Sequence, residues 1–534
     1  MSGKRKAWAD KATPSTTAST AASTAASTAT STAASTAAST ANNGTRKRRR
    51  GPNESTTSNT QKVKSKKIVN QNSNRVTRRN TQQQTNLLNT VCGTIGTDLC
   101  LSLSTYREDM LTLFDRFIYF NNVSEDTYRL GKPSANGFIR KVVYKVRDIT
   151  SYAILKSSAS KYADNLAYEY RVGLFLNKYR TIFPCFVQTY GLYYYKTENF
   201  WIFMKNKLKV RANTMQEKLE LQLPDQVNNY PQICQRSKHA AILIEDIASK
   251  ASLGDYLNFD QDGLQFFATF KLVYILYQIY FPLACLNESF THYDLHSDNV
   301  MIYEPHPGKY ITYHYHLSDG TEVTFNSTLI AKIIDYGRSY YKEDDANNSR
   351  AFYENLCRTR ECTTTQINEV ITSKNGKIVR KEEVAEIPCG EDLGFVTMSK
   401  YAKDEWQICS YERNASHDLR LLTNVRSSVL YSIRSIPELA EFRTMLSQVR
   451  YGEGVTSGNQ AYGTVENLTE EADKINNVLQ AEQALRHILR QGTDLQQLNA
   501  EKYNDIENKL GDLHIYSDRT PMHFEINIRR RNSV

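Results

Sequence analysis

Three side chains set the question for this 534-residue chain. Asp294 and Asn299 stand five residues apart in the stretch HYDLHSDN, His292 to Asn299, and Asp335 stands in IIDYG, Ile333 to Gly337. Each stretch follows an apolar run. A carboxylate, an amide five residues on and a later Asp-x-Gly form the arrangement that phosphoryl transfer requires. One carboxylate orients the attacking hydroxyl, while the amide and the second carboxylate hold Mg²⁺ over nucleotide phosphates. Asp294 is thus the candidate base, Asn299 and Asp335 are candidate metal ligands, and His292 is a brace that hydrogen-bonds backbone carbonyls. His296 follows the base by two residues.

A second group lies upstream. Gly131 and Gly137 bracket small polar residues in GKPSANGFI, where backbone N–H groups could approach phosphate closely; a plain surface hairpin is the alternative. Lys156 ends the apolar run SYAILK, 19 residues after Gly137. A lysine there needs an anionic partner or snorkels to solvent. Glu169, 13 residues further on and near the middle of NLAYEYRVGLFLNKY, is the carboxylate expected to hold it.

These residues need elements to position them. The pattern predicts a long helix over Gln265 to Phe290, kinked or ended at Pro282, then a strand at Val300. Between the two catalytic stretches, residues 304–330 read as an inserted β-hairpin with its turn at Asp319-Gly320 and solvent-facing His314 and His316. Upstream, an amphipathic helix is expected within Thr105 to Asn121, and strands over Phe183 to Tyr195 and Asn199 to Met204. Lys205 to His239 reads as a polar surface insertion with a short helix at Thr214 to Leu221, and Ala240 to Ile244 as a buried strand. Downstream, Asp418 is a candidate structural anchor and Val425 to Val449 continues helically. Residues 451–463 are loop by composition. Asn467 and Glu470 could cap a helix carrying Ile475, Val478, Leu485 and Leu489, and DRTPMHFEINIRR reads as a strand or tail.

Together the motifs resemble the protein-kinase-like superfamily, and the overall pattern resembles the serine/threonine protein kinases of large nucleocytoplasmic DNA viruses. The resemblance implies an α+β, bilobal protein-kinase-like fold with a small β-rich N-lobe, a larger helical C-lobe, insertions and a disordered basic N-terminal tail. The divisions expected are the tail at 1–85, a helical extension at 86–130, the N-lobe at 131–247, the C-lobe at 248–510 and a C-terminal tail at 511–534. It implies ATP and Mg²⁺ as cofactors, with Mn²⁺ as a substitute. Asp294, Lys156, Glu169, His292 and His296 would be catalytic, and Gly131, Gly137, Lys156, Glu245 and Ile247 would bind nucleotide, the last two through hinge backbone. Asn299 and Asp335 would ligate the metal.

The sequence departs from that pattern at several points. His296 stands where protein kinases carry Lys, Tyr336 replaces Phe, 41 residues separate Asp294 from Asp335, and no Ala-Pro-Glu follows. A small-molecule phosphotransferase like those acting on aminoglycosides or choline, and a catalytically silent scaffold, are the alternatives to a protein kinase acting on Ser or Thr.

Charge is unevenly divided. Through Gln84 the chain has 16 Lys or Arg against two acids, while the total is +10, so the remainder is mildly acidic. An AAST repeat from Thr20 to Thr40, with Trp8 as the one aromatic before Gln84, cannot offset the entropy of ordering its backbone. Disorder is expected there, together with a nuclear-import role, non-specific nucleic-acid contact or plain solubilisation. The tail's Ser and Thr residues could be substrates in cis, besides other protein substrates. No run of 18 uninterrupted apolar residues and no apolar leader occurs, which predicts no membrane association and an intracellular setting, host cytoplasm or nucleus, with virion packaging open. Nine widely spaced cysteines predict mostly free thiols in a reducing compartment rather than a zinc site at Cys357, Cys362, Cys389, Cys409 and His417.

Overall fold

From Thr127 to Glu245 the chain alternates apolar and polar residues, and it builds a seven-stranded antiparallel sheet. The computed structural model describes residues 85–93, 95–134, 137–158, 166–222, 239–248, 251–352, 364–374, 377–387, 410–450 and 474–527, with 354 and 408. They fall within one unit, Asn72–Val534, of mixed α+β class. The expected tail through Gln84, the loop at 451–463, Asn467, Glu470 and Cys234, Cys357, Cys362, Cys389 and Cys409 lie outside the described residues.

The sheet contains β1 (Thr127–Ser134), β2 (Gly137–Val146), β3 (Ile149–Ser157), β4 (Thr189–Tyr195), β5 (Lys209–Val210), β6 (Leu219–Gln222) and β7 (Ala240–Glu245), in the order β5-β1-β2-β3-β7-β4-β6. Strict alternation along β3 buries Ala153 and Leu155 on one face and leaves Ile154 and Lys156 partly open on the other. Directly opposed residues share a face. The register Leu130, Ile139, Lys156, Ile242 across β1, β2, β3 and β7 therefore places Lys156 in a row of apolar side chains.

Two short helices, α1 (Thr97–Leu103) and α2 (Arg107–Leu113), precede the sheet and are packed into the core through Leu99, Leu103 and Met110. A disulfide joins Cys92 to Cys100, contrary to the expectation of free thiols there, because the short helical segments bring the two within bonding reach; Cys185 and Cys285 are free. Helix α3 (Leu166–Asn177) follows β3 and is buried on several sides. The strand expected at Asn199 to Met204 is instead helix α4 (Glu198–Asn206). Thr197 Oγ1 accepts from Phe200 N at 3.3 Å, capping the helix, and Phe200, Trp201 and Met204 form its buried stripe. Aromatic content favoured a strand in the sequence; the cap and the i, i+4 burial override it. The region expected to be a polar insertion supplies edge strands β5 and β6 around α5 (Ala212–Lys218).

One buried network ties α1 to the end of β7. Glu245 Oε2 accepts from Arg180 Nη2 at 2.7 Å and Nε at 3.0 Å and from the Gln188 amide at 3.0 Å, while Lys332 Nζ lies 3.4 Å from Oε1. Arg180 also donates to Leu101 O at 3.1 Å, and Lys332 to Ser102 Oγ at 2.7 Å. Burial alone would push the Glu245 carboxyl up, but Arg180, Lys332 and the Gln188 amide outweigh it and hold it at about 2.

Beyond β7 the chain is mainly helical. β8 (Ala251–Ser252) leads into α6 (Leu253–Leu257), opened by a capping box between Ser252 and Asp255. Helix α7 (Gln261–Cys285) is apolar enough by composition to cross a membrane, yet 83% of its apolar window is buried inside the fold, as in a core helix. It contains a π-helical turn at Ala268–Leu272 and accommodates Pro282 in its final turns. The site elements follow: β9 (Phe290–Thr291), β10 (Val300–Tyr303), the hairpin β11 (Tyr310–His316) and β12 (Glu322–Ser327), β13 (Ile330–Ile333), β14 (Tyr340–Tyr341) and α8 (Asn348–Phe352). A separate two-stranded ribbon comprises β15 (Thr364–Lys374) and β16 (Lys377–Ile387).

Val425 to Val449 is broken rather than continuous. Helix α9 (Arg420–Val429) stops before Pro437, and α10 (Ala440–Gln448) restarts after it. Helix α11 (Val478–Gln491) is capped by Asn477, whose Oδ1 accepts from Gln480 N at 2.9 Å, and α12 (Thr493–Lys502) follows. Residues past 510, expected to be a tail, form most of β17 (Lys509–Tyr516) and all of β18 (His523–Ile526). β17 pairs in parallel with β11, giving the sheet β12-β11-β17-β18. His314 and His316 are consequently stacked beside His514 rather than simply facing solvent.

Replacing Glu245 by Gln leaves Arg180 and Lys332 without a buried counter-charge. The expected cost is about 3–5 kcal/mol, read from chemical denaturation; an unchanged midpoint would show that the network adds no stability.

Candidate active site

The stretch from His292 to Asn299 is held from beneath by a single carboxylate. Asp418 lies in the turn His417–Leu419 that opens α9, and it is buried. Its Oδ2 accepts from the His292 amide at 2.8 Å and its Oδ1 from the Tyr293 amide at 3.0 Å. Tyr293 is thereby kept at φ 63°, a left-handed conformation costly for a bulky residue. Its hydroxyl donates to Glu412 O at 2.8 Å, a further restraint.

His292 is fully buried, and its bonds define its tautomer. Nε2 lies 3.0 Å from Ile334 O, so it must donate; Nδ1 accepts from the Asp294 amide at 3.3 Å. Only the neutral Nε2–H imidazole satisfies both. Burial pushes its pKa down to about 4, against the pull of Asp294 and the Ile334 carbonyl. Asn299 closes the loop: its Nδ2 donates to Asp294 O at 2.9 Å.

Above this loop, three elements meet at one ammonium. Lys156 Nζ lies 2.8 Å from Glu169 Oε2 on α3 and 2.9 Å from Asp335 Oδ1 after β13. Burial opposes the charge on Lys156, yet Asp335 and Glu169 raise its pKa above the ordinary value. Burial likewise works against the Asp335 carboxylate, and Lys156 prevails in holding its pKa down. Asp335 sits at φ 68°, a second strained backbone at the same place. Tyr336 in the position expected for Phe has a structural use. Its buried hydroxyl donates to Ile333 O at 2.6 Å and accepts from Val187 N at 3.0 Å.

Leu130 and Ile139, in the same cross-strand row as Lys156, are 45% and 40% exposed. Both are large apolar side chains open to solvent, in line with the partly buried Lys156. Gly131 (φ 65°), inside β1 where its register against β2 shifts, and Gly137 (φ 131°), which opens β2, adopt conformations that favour glycine. Glu245 has structural partners of its own. Its amide donates to Gln188 O at 2.8 Å and its carboxylate lies within the Arg180–Lys332 network, so the protein uses both groups itself. Ile247 is partly buried against the core. Next to it Asp246 accepts from Lys141 Nζ at 2.7 Å.

Sequence reasoning did not place Arg420 beside Asp294. Arg420, the first residue of α9, donates from Nη1 to Asp294 Oδ1 at 2.8 Å, and Arg338 Nη1 lies 3.5 Å from Oδ2. His296 Nε2 is 3.9 Å from Oδ1, and burial lowers its pKa, which keeps the ring neutral near pH 7. A cation in the first turn of a helix runs against the macrodipole and calls for a nearby anion; Arg420, two residues after Asp418, carried that signal. Among the described residues, no three His, Cys, Asp or Glu side chains converge as a metal cluster. No protein-family model matches the chain, and no curated protein matches it.

The His292 geometry predicts acid sensitivity. Its pKa falls from ~6.5 unfolded to about 4 folded, so the unfolded chain binds the extra proton between those values. The contribution of the neutral ring is complete above ~6.5 and is lost as pH falls toward 4, amounting to about 3 kcal/mol. Denaturation free energies measured from pH 7 to 4 should fall more steeply for the wild type than for His292→Asn. Parallel curves would rule out this residue as the cause.

Proposed function

We propose that the chain is an ATP-dependent phosphotransferase of bilobal, protein-kinase-like build, acting on protein serine and threonine hydroxyls. In this reading the sheet through Glu245 is the small lobe, the helical part from Leu253 is the large lobe, and the catalytic groups face one another between them. The observation that carries the reading is the convergence on Lys156. Glu169 and Asp335 hold its ammonium at 2.8 and 2.9 Å from two different elements, above a loop that presents Asp294 and Asn299. Such a charge cluster, with Glu169 buried and Asp335 partly open, is the kind of arrangement that functional sites use. The kinship with viral serine/threonine kinases and an intracellular setting belong to the same proposal.

Nucleotide and metal fit these side chains. Lys156 would meet phosphate oxygens, and Leu130 and Ile139 would cover the base. Mg²⁺ prefers oxygen ligands and commonly takes only one or two from protein, with phosphates and water completing its shell. Asn299 points Nδ2 at Asp294 O, leaving Oδ1 for a cation, and Asp335 offers Oδ2 beside the oxygen that contacts Lys156. When bound, the metal neutralises phosphate charge. Asp294 orients the acceptor hydroxyl and takes its proton as the hydroxyl oxygen bonds to the γ-phosphorus. The bridging bond to the β-phosphate breaks and ADP leaves.

Two measurements test this. ATP binding by calorimetry should tighten with Mg²⁺ or Mn²⁺, and Asp335→Asn should abolish the metal effect while the protein still melts cooperatively. With γ-labelled ATP, Ser/Thr label should drop about 10²-fold or more in Asp294→Ala. A wild-type chain that binds no nucleotide would be a scaffold, and label passing only to metabolites would make it a small-molecule phosphotransferase.

A further inference from the structure

The outer face of the sheet β12-β11-β17-β18 gathers four histidines from three strands. His314, His514 and His523 oppose one another directly across β11, β17 and β18, and so share a face. His316 stands two residues beyond His314 on the same side of β11. The His314 and His514 rings stack with centres 4.5 Å apart and 11° from parallel; His316 lies 5.3 Å from His514 at 9°. One contact in this stack ties two strands through side chains alone: His316 Nε2 lies 3.0 Å from His514 Nδ1. One ring donates there and the other accepts. The bond therefore exists in the neutral pair and in the singly charged pair. It is lost once both rings are imidazolium, because each facing nitrogen then carries a proton.

The charged groups around the pair come from four elements. Glu322 of β12 lies 2.7 Å from His314 Nδ1, and its other oxygen is 3.9 Å from His316 Nδ1. Asp512 of β17 lies 3.0 Å from His314 Nε2 and 2.7 Å from Lys509 Nζ. Glu525 of β18 lies 3.6 Å from His523 Nε2. Arg490 of α11 lines the same cleft as Glu322. Each carboxylate thus has a cationic or protonatable partner outside the His316–His514 pair, so three anions do not provide a counter-charge for two further protons. Burial lowers the His514 pKa, and His314 and His316 add to the effect against the pull of Glu525 and Asp512. A ring whose folded pKa lies below its unfolded value of ~6.5 contributes stability above that pH and loses it as pH falls.

We propose that β17 and β18 form an acid-released clasp on the hairpin β11–β12. Double protonation of the His316–His514 pair replaces its hydrogen bond by repulsion between stacked cations and loosens the last strands of the fold. This inference does not depend on the phosphotransferase reading, since it concerns strand opening and no transferred group.

Hydrogen exchange on the full chain at about pH 7 and about pH 5.5 tests it, with rates normalised to those of unstructured peptides at each pH. Amides of β17 and β18 should lose protection about tenfold in acid, the equivalent of one pKa unit at one site, while those of α7 keep theirs. His316→Gln combined with His514→Gln, which leaves amide partners that do not titrate, should abolish the loss. His316→Gln alone, with one titrating ring left, should reduce it, and serves if the double variant fails to fold. His523→Gln should leave the loss in place. Wild-type β17 and β18 equally protected at both pH values would overturn the proposal. So would an undiminished acid loss in either His316 variant, or a uniform loss across α7 and the sheet, which would mark a global acid effect such as that of His292.

Discussion

The geometry around Asp294 depends on one buried carboxylate that touches none of the reacting groups. Asp418 receives two consecutive backbone amides, those of His292 and Tyr293. Burial pushes its pKa up to about 7, and those amides pull the other way. Accepting two neighbouring N–H groups on one carboxylate bends the chain at Tyr293 into φ 63° and points the next residue's side chain away from the core. Tyr280 on α7 donates to the Asp418 carbonyl at 2.9 Å, so the anchor is itself tied to the core helix. The following residues of the same turn then carry Arg420 to Asp294. Anchor, strained backbone and cation form one unit: loss of the Asp418 carboxylate would release all three.

A second buried carboxylate plays the matching part at the sheet. Glu245 joins β7, the Arg180 segment after α3, β13 through Lys332, and α1 through the partners of those cations. β13 leads two residues later to Asp335, and α3 carries Glu169. The Glu245 network therefore fixes the strand and the helix whose carboxylates meet at Lys156. The short distances at Lys156 follow from elements already held elsewhere. A long flexible lysine closing on two rigidly placed acids loses rotamer freedom, and here the rigidity of its partners limits the further cost.

What the sequence disclosed follows a physical division. Asp294 and Asn299 drew attention through their five-residue spacing after an apolar run, and Asp335 through the Asp-x-Gly that ends another, both local patterns. Lys156 was legible as a cation in an apolar strand, and Glu169 as an acid in a helix with little room for it. Arg420 was not read, because its partner is remote in sequence and surface-like arginines are common. Glu245 was read only for its hinge backbone; its side-chain partners, Arg180 and Lys332, lie 65 and 87 residues away, and spacing does not disclose them. The mixed α+β class was an implication of the resemblance that the motifs carry, and the helices and sheets observed agree with that coarse class. Asn199 to Met204 was misread since aromatic residues serve strands and helices alike, and the deciding feature was a threonine cap. The pairing of Cys92 with Cys100 depends on how the helical segments are oriented, which spacing alone does not specify.

The hairpin between Asp294 and Asp335 looks like an insertion in the sequence and behaves as part of the core. Its inner face presents Tyr313, Tyr315 and Phe325, all buried. Tyr315 meets Tyr277 and Phe281 of α7 with ring centres 4.9 and 4.8 Å apart, and Phe325 meets Tyr274 at 5.0 Å. Such edge and tilted contacts add to the burial of large rings. On the outer face, His314 Nε2 lies 3.0 Å from Asp512 Oδ1 and His316 Nε2 lies 3.0 Å from His514 Nδ1. The latter contact needs one ring to donate and the other to accept. β17 thus clasps the hairpin by a parallel register, continuous from Ile311 to His316, and by its side chains. The chain's last strands hold the hairpin, the hairpin backs α7, and α7 carries the loop of Asp294. The residues between Asp294 and Asp335 therefore support the loop from behind.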